Sequence, residues 1–201
     1  ASAAGSTATT LYTIYRFDVT YSKGSNVSAI GETSGSCKVT TSNTSCTVTL
    51  PTITAKTGYT SVGWGSNGAT TGTAAGSSYT LSTDDTTLYG NAKANALTFA
   101  DKTITKTYST SSQTASITGA SNGTGKYTYT ESSEKNASGT ATSYISLSGT
   151  EITIAAKTPA GTYTYVITAK DSNSGVTKNA TYTIKVNKAT DKITVTAVTK
   201  T

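Results

Sequence analysis

Polar and apolar residues alternate along most of this chain with a period of two. The run "LYTIYRFDVTYS" (11–22) sets Phe17, Val19 and Tyr21 on one face and Asp18, Thr20 and Ser22 on the other. That is the signature of a strand with one face buried. Similar segments follow as "CKVT" and "CTVTLPTIT", then "GYTSVGW", "SSYTLS" and "TTLYGNA". Beyond residue 97 come "TITKTYS", "QTASITGA", "KYTYTES", "SYISLSG", "EITIAA", "GTYTYVITAKD" and "ATYTIKVN". Turn-forming residues separate them every 8–12 positions or so, the spacing of sandwiches and small barrels. No segment sustains the 3.6-residue period of an amphipathic helix, so the pattern predicts a mainly β protein.

Composition supports that prediction and bounds the rest. Hydrophobic residues make up 34% of the 201 positions, which is low for a globular chain. Thr, Tyr, Val and Ile dominate, however, and these fit pleated, half-buried surfaces. The length allows one or two domains. The chain contains no Met, which predicts a processed product or a piece of a longer chain. No apolar run approaches the roughly 18 residues of a membrane span, so no membrane insertion is expected. The opening "ASAAGSTATT" lacks the charged and apolar regions of a signal peptide and reads as what cleavage leaves, or as an artificial boundary.

The net charge of +6 raises the question of nucleic acid. Residues 1–96 carry five basic and four acidic groups, while residues 97–201 carry eleven lysines and six acidic groups. The lysines of the second half (Lys170, Lys178, Lys185, Lys188, Lys192) are spaced along Thr-rich strands with no Arg among them. Phosphate and base recognition relies on Arg clusters with interleaved aromatics, so no nucleic-acid partner is expected. Such lysines read instead as keeping strand edges soluble.

Cys37 and Cys46 flank "KVTTSNTS", whose centre is turn-forming. In a hairpin centred on Thr41-Ser42 the two cysteines stand opposite each other, about 4.5–5.5 Å apart at Cα and within disulfide reach. The rival readings are a metal site and a reactive thiol. With no His and no second Cys pair, the metal reading has too few ligands. A disulfide predicts an oxidising, extracellular compartment.

The stretch "LPTITAKTGYTSVGW", with "FDVTYSKGS" upstream and "DDTTLYGNA" downstream, resembles the Listeria–Bacteroides repeat, the internalin B-type B-repeat. The matching positions are Phe17, Asp18, Pro51, Gly58, Tyr59, Gly63, Trp64, Leu88 and Tyr89, within residues 12–93. The resemblance implies a small β-grasp-like domain repeated in tandem on bacterial surface proteins, with Trp64 in its core. The Cys37–Cys46 hairpin is an insertion relative to that pattern. "TTLY" at Thr9–Tyr12 repeats the closing "TTLY" at Thr86–Tyr89, so residues 1–11 read as the end of a preceding repeat. Residues 97–188, through "PAGTYTYVITAKD" and "ATYTIKV", resemble bacterial immunoglobulin-like and cadherin-like surface domains, which implies a sandwich of about seven strands. "TDKITVTAVTKT" echoes "ADKTITKTYST", so residues 189–201 read as a linker or the first strand of a following domain. An array predicts strand-forming ends at 1–10 and 191–201.

Chemistry has little to work with. Without His, Ser-His and Cys-His nucleophilic catalysis is excluded. Asp84 and Asp85 are adjacent in a turn, where their side chains diverge into solvent. "DSNSG" at Asp171 begins like a calcium loop, but Tyr182 stands where the bidentate Glu belongs, so an Asx turn is the better reading. Asp101 and Asp171 keep a residual claim to calcium between domains. An intramolecular isopeptide bond would need Lys102 or Lys106, Glu151 and Asn187 brought together. No catalytic residue, metal ligand or cofactor is expected, and the chain does not read as an enzyme.

The sequence therefore predicts stalk or adhesive modules of a large bacterial cell-surface protein, with neighbouring repeats as partners. The alternative is a ligand-binding module that recognises a host glycan or surface protein. A concave patch of exposed tyrosines would favour the second; a buried Trp64 and scattered tyrosines would favour the first.

Overall fold

The computed structural model describes residues 13–190. Among them are fifteen strands and no helix, in two compact units with the chain dividing between Ala94 and Asn95. Residues 1–12, which hold the first "TTLY", and residues 191–201, on which the array reading bears, lie outside the described residues.

The first unit contains β1 (Ile14–Lys23), β2 (Val27–Ile30), β3 (Ser34–Thr40), β4 (Cys46–Thr49), β5 (Ile53–Ala55), β6 (Tyr59–Gly65), β7 (Ser78–Leu81) and β8 (Thr86–Ala94). Its main sheet has the order β3-β1-β8-β6. The first and last strands, β1 and β8, run parallel at its centre, with Val19–Lys23 beside Thr86–Gly90. Both outer pairs are antiparallel. This is a mixed sheet of β-grasp-like order. The cover over its inner face is the short β4-β7 pair, not a helix: Val48, Leu50 and Leu81 pack on Val19, Tyr21, Trp64 and Leu88.

Two glycines of the Gly-Trp region have a steric reason. Gly63 sits at a bulge between β6 and β8 with φ of 105°. A Cβ there would lie 2.5 Å from the Thr73 carbonyl, and one at Gly72 would lie 2.7 Å from that of Trp64. Only bare backbone lets the 72–73 segment cross Trp64 and exchange two main-chain hydrogen bonds with it.

The second unit contains β9 (Lys102–Thr107), β10 (Gln113–Ser116), β11 (Tyr127–Asn136), β12 (Ile145–Ser148), β13 (Glu151–Ile154), β14 (Gly161–Asp171) and β15 (Thr177–Asn187). It is a seven-strand sandwich of sheets β11-β14-β15-β9 and β10-β13-β12. Strict alternation on β14 buries Tyr163, Tyr165, Ile167 and Ala169, and on β15 it buries Ala180, Tyr182, Ile184 and Val186. These face Ile145, Ile152 and Ile154 of the opposite sheet. Again the first and last strands run parallel, with Lys102–Thr107 beside Tyr182–Asn187.

Two local expectations need correction. "CTVTLPTIT" is not one strand: Leu50 and Pro51 lie between β4 and β5, where proline cannot donate to a ladder. Lys170, Lys178 and Lys185 are exposed, but on β14 and β15, the inner strands of their sheet, so they cover a sheet face and not an edge. Several tyrosine hydroxyls of the second unit are bonded to the protein and not left to solvent. Tyr127, Tyr129 and Tyr182 accept the main-chain N–H groups of Gly123, Ala120 and Thr118, which staples the 117–124 segment onto the sheet.

Candidate functional site

In the first unit three of the motif residues, Phe17, Trp64 and Leu88, lie in or against the core. Trp64 is 2% exposed, its indole N–H donates to the Pro51 carbonyl at 2.8 Å, and its ring lies 5.0 Å from that of Tyr21. Leu88 is buried beside it, and Phe17 is half-buried against the same cluster. Gly58 takes a positive φ of 81° in the turn before β6. Tyr59 and Tyr89 are half-buried on β6 and β8. Asn91, which the sequence reading missed, is buried in the same unit. Its amide oxygen accepts the Gly68 N–H, and its Nδ2 donates to the Ser66 and Tyr89 carbonyls.

Cys37 and Cys46 form the disulfide, with Cα atoms 5.9 Å apart. The expected turn at Thr41-Ser42 is there: Thr40 and Asn43 exchange N–H···O bonds across it. The ladder stops at that pair. β3 continues against β1 and β4 against β7, so the bridge joins two different sheets and not the arms of one hairpin. Past it the chains part around a groove of about 450 Å3, lined by Glu32, Gly35, Ser36, Thr47 and Thr49 over Tyr21. The Tyr21 hydroxyl is buried and has no hydrogen-bond partner among the described residues; burial, then the charge of Glu32, pushes it up from its ordinary value. Opening the disulfide is expected to destabilise the first unit by about 2–3 kcal/mol, the loop-closure value for so short a loop. Urea unfolding with and without reductant measures it.

The acidic candidates act as hydrogen-bond acceptors. Asp84 accepts the N–H groups of Asp18 (2.7 Å) and Asp85 (2.9 Å), which together hold its carboxyl below the usual range. Asp18 pairs with Arg16 at 2.9 Å on the surface. Asp101 accepts the Thr181 N–H at 2.6 Å. Asp171 is fully buried and receives Thr124 N–H and Oγ1–H, both at 2.6 Å, together with the N–H groups of Asn173 and Ser174. It thus closes an Asx turn and ties two loops together. Among the described residues no three His, Cys, Asp or Glu side chains lie close enough to share a metal ion.

Burial alone would raise the Asp171 carboxyl, but the four hydrogen bonds outweigh it and hold the group far below the usual carboxylate range. A depressed folded-state value means that its stabilisation is complete above the unfolded value of about 3.9 and is lost as pH falls below it. The second unit is therefore expected to weaken below about pH 4, and Asp171→Asn to flatten that acid limb. Thermal melting of wild type and variant between neutral and acid pH tests this.

The isopeptide candidates are not assembled. Lys106 on β9 neighbours Val186, and Lys102 donates to the Ser116 carbonyl. Glu151 is exposed on β13, in the opposite sheet from Asn187.

A concave feature with an exposed aromatic ring lies in the second unit. A groove of about 280 Å3 is lined by Asn136, Ser138, Thr142, Tyr144, Thr162 and Tyr163, together with Pro159 and Gly161. Tyr144 is 38% exposed and meets Tyr163 edge to face, with centroids 5.7 Å apart. The Tyr163 hydroxyl donates to the Pro159 carbonyl, and burial, then the neighbouring Tyr144 and Glu134, pushes it up from its ordinary value. Beneath lies Glu134, 4% exposed, whose carboxylate accepts Thr142 Oγ1–H (2.6 Å), Tyr144 N–H (2.9 Å) and Ile145 N–H (3.0 Å). The Tyr144 carbonyl accepts the Ala155 N–H. Tyr144 is thus held from both sides of its main chain.

These observations define an all-β chain of two units, the first stapled by a disulfide and the second a sandwich with an aromatic groove. A disulfide fits an extracellular, oxidising setting. Among the described residues no helix is long and apolar enough to cross a membrane. The chain matches no protein-family model and no curated protein.

Proposed function

We propose that the chain is a structural and adhesive segment of a large bacterial cell-surface protein, whose two β units serve as load-bearing stalk modules. One observation carries this reading. In each unit the first and last strands lie side by side and parallel, β1 with β8 and β9 with β15. Force entering at the start of the first strand and leaving at the end of the last pulls the pair in opposite directions along a common axis. The evenly spaced bonds of a parallel ladder are then strained together in shear. An antiparallel terminal pair would instead open one bond at a time. The disulfide and the carboxylate-centred loops at Asp171 and Glu134 add cross-links that resist extension. The likeness of residues 12–93 to the B-repeat, and of 97–188 to bacterial immunoglobulin-like domains, supports the bacterial setting and makes neighbouring repeats the natural partners.

Stretching single molecules by their ends tests the reading. The expected record has one rupture for each unit. Reduction should lengthen the first-unit step by roughly 3 nm, the reach of the nine-residue separation between Cys37 and Cys46. Gradual extension without discrete ruptures would remove the stalk proposal.

A further inference from the structure

Independently of the stalk reading, we propose that the Tyr144 groove is a binding site for a neutral saccharide of one or two units. The chemistry of the lining selects this ligand. A sugar ring presents a weakly apolar C–H face and a rim of hydroxyls that both donate and accept. It needs an exposed aromatic face to stack on, with uncharged polar groups around it. Tyr144, 38% exposed, supplies the face, and Tyr163, its ring near-perpendicular with centroids 5.7 Å apart, forms a wall beside it. Around them the polar side chains are Asn136, Ser138, Thr142 and Thr162, none of them charged. Asn136 spends its Oδ1 on the N–H groups of Ser138 and Thr140, so its Nδ2 is left to donate. Thr142 donates its proton to Glu134, so its oxygen is left as an acceptor.

Two further features separate this groove from an ordinary surface dent. The platform is preorganised, because Glu134 and Ala155 fix the Tyr144 main chain before any ligand arrives, which lowers the ordering cost of binding. The volume, about 280 Å3, lies at the lower end of small-molecule sites, the size for one or two sugar rings and not an extended chain. The acidic Glu134 beneath the floor, with no cation in the lining, disfavours sialylated or sulfated sugars. Of the other large side chains exposed among the described residues, Ile14 and Tyr15 stand on β1 in the first unit.

The test uses the whole oxidised chain, 15N-labelled, titrated with methyl glycosides and disaccharides of neutral hexoses and N-acetylhexosamines, with sialyllactose beside them. The expected result is saturable shifts at 136–144 and 159–163 with a neutral sugar, and none there with sialyllactose. Tyr144→Ala should weaken binding about tenfold, as expected for a lost stacking contact, while Tyr144→Phe keeps it. Gly161→Leu should block the groove without touching the platform: a Cβ there meets only Tyr163, at 3.9 Å. Tyr15→Ala should change nothing. The proposal is overturned by an absence of groove shifts with every neutral sugar at millimolar concentration. Equal binding by Tyr144→Ala and Gly161→Leu, or a preference for the anionic sugar, overturns it as well.

Discussion

Trp64→Ala is expected to bring the first unit close to unfolding while leaving the second unit's transition where it was. The side chain is almost wholly buried and at the centre of the only cluster that holds this unit's sheets together among the described residues. Truncating such a residue removes its transfer free energy and leaves a cavity, a cost of about 3–5 kcal/mol. A domain of this size holds roughly 5–15 kcal/mol in total, so the loss is a large share of it. The Pro51 carbonyl also loses its donor, and Tyr21 loses its ring neighbour. Trp64→Phe keeps most of the apolar volume and gives up the indole bond, so its cost should fall well short of the alanine variant. Differential scanning calorimetry resolves the two outcomes: one transition moves sharply down and the other stays. A first-unit transition shifted by only a degree or two would mean that Trp64 is not the keystone of that core.

Glu134→Ala should weaken the second unit by about 2–4 kcal/mol, because it strands two main-chain N–H groups and one hydroxyl that now share a single carboxylate. The asymmetry of hydrogen bonding makes this large: made, such bonds contribute modestly, but a buried donor left without an acceptor costs its full desolvation. Glu134→Gln should fall between, since its Oε1 can still accept while its Nε2–H2 end faces donors. Urea denaturation measures both. The same substitution frees Tyr144, so any saccharide affinity should fall with it even though Glu134 lies beneath the groove floor.

How much of this was legible in the residues follows from what each signal depends on. Alternation is local, and it located β14 and the strands around Phe17, Trp64 and Leu88, because a buried face imposes a period of two. β2 escaped because "VSAI" is four residues long without alternation, and its pairing with β5 is set at long range. The pairing of the cysteines was legible because turn register depends on nearby residues. That their strands would join different sheets was not, since the competing partners β1 and β7 lie elsewhere in the chain. The parallel terminal pairs need crossovers of dozens of residues, which no local pattern encodes. Glu134, in "ESSEKN", reads as one more solvated strand acid. It becomes the anchor of the groove only when the 142–145 segment folds back over it, and the groove itself draws on three separated stretches.

The central claim is that force is borne in shear by the parallel terminal strands, and one comparison tests it most directly. The second unit is stretched first through the ends of the chain. It is then stretched through handles on a Thr107→Cys/Asn187→Cys variant, whose attachment points are exposed register partners at the same end of β9 and β15. The account predicts a rupture force several-fold higher when the unit is loaded through the chain ends than through the paired handles. Equal forces in the two geometries would contradict it.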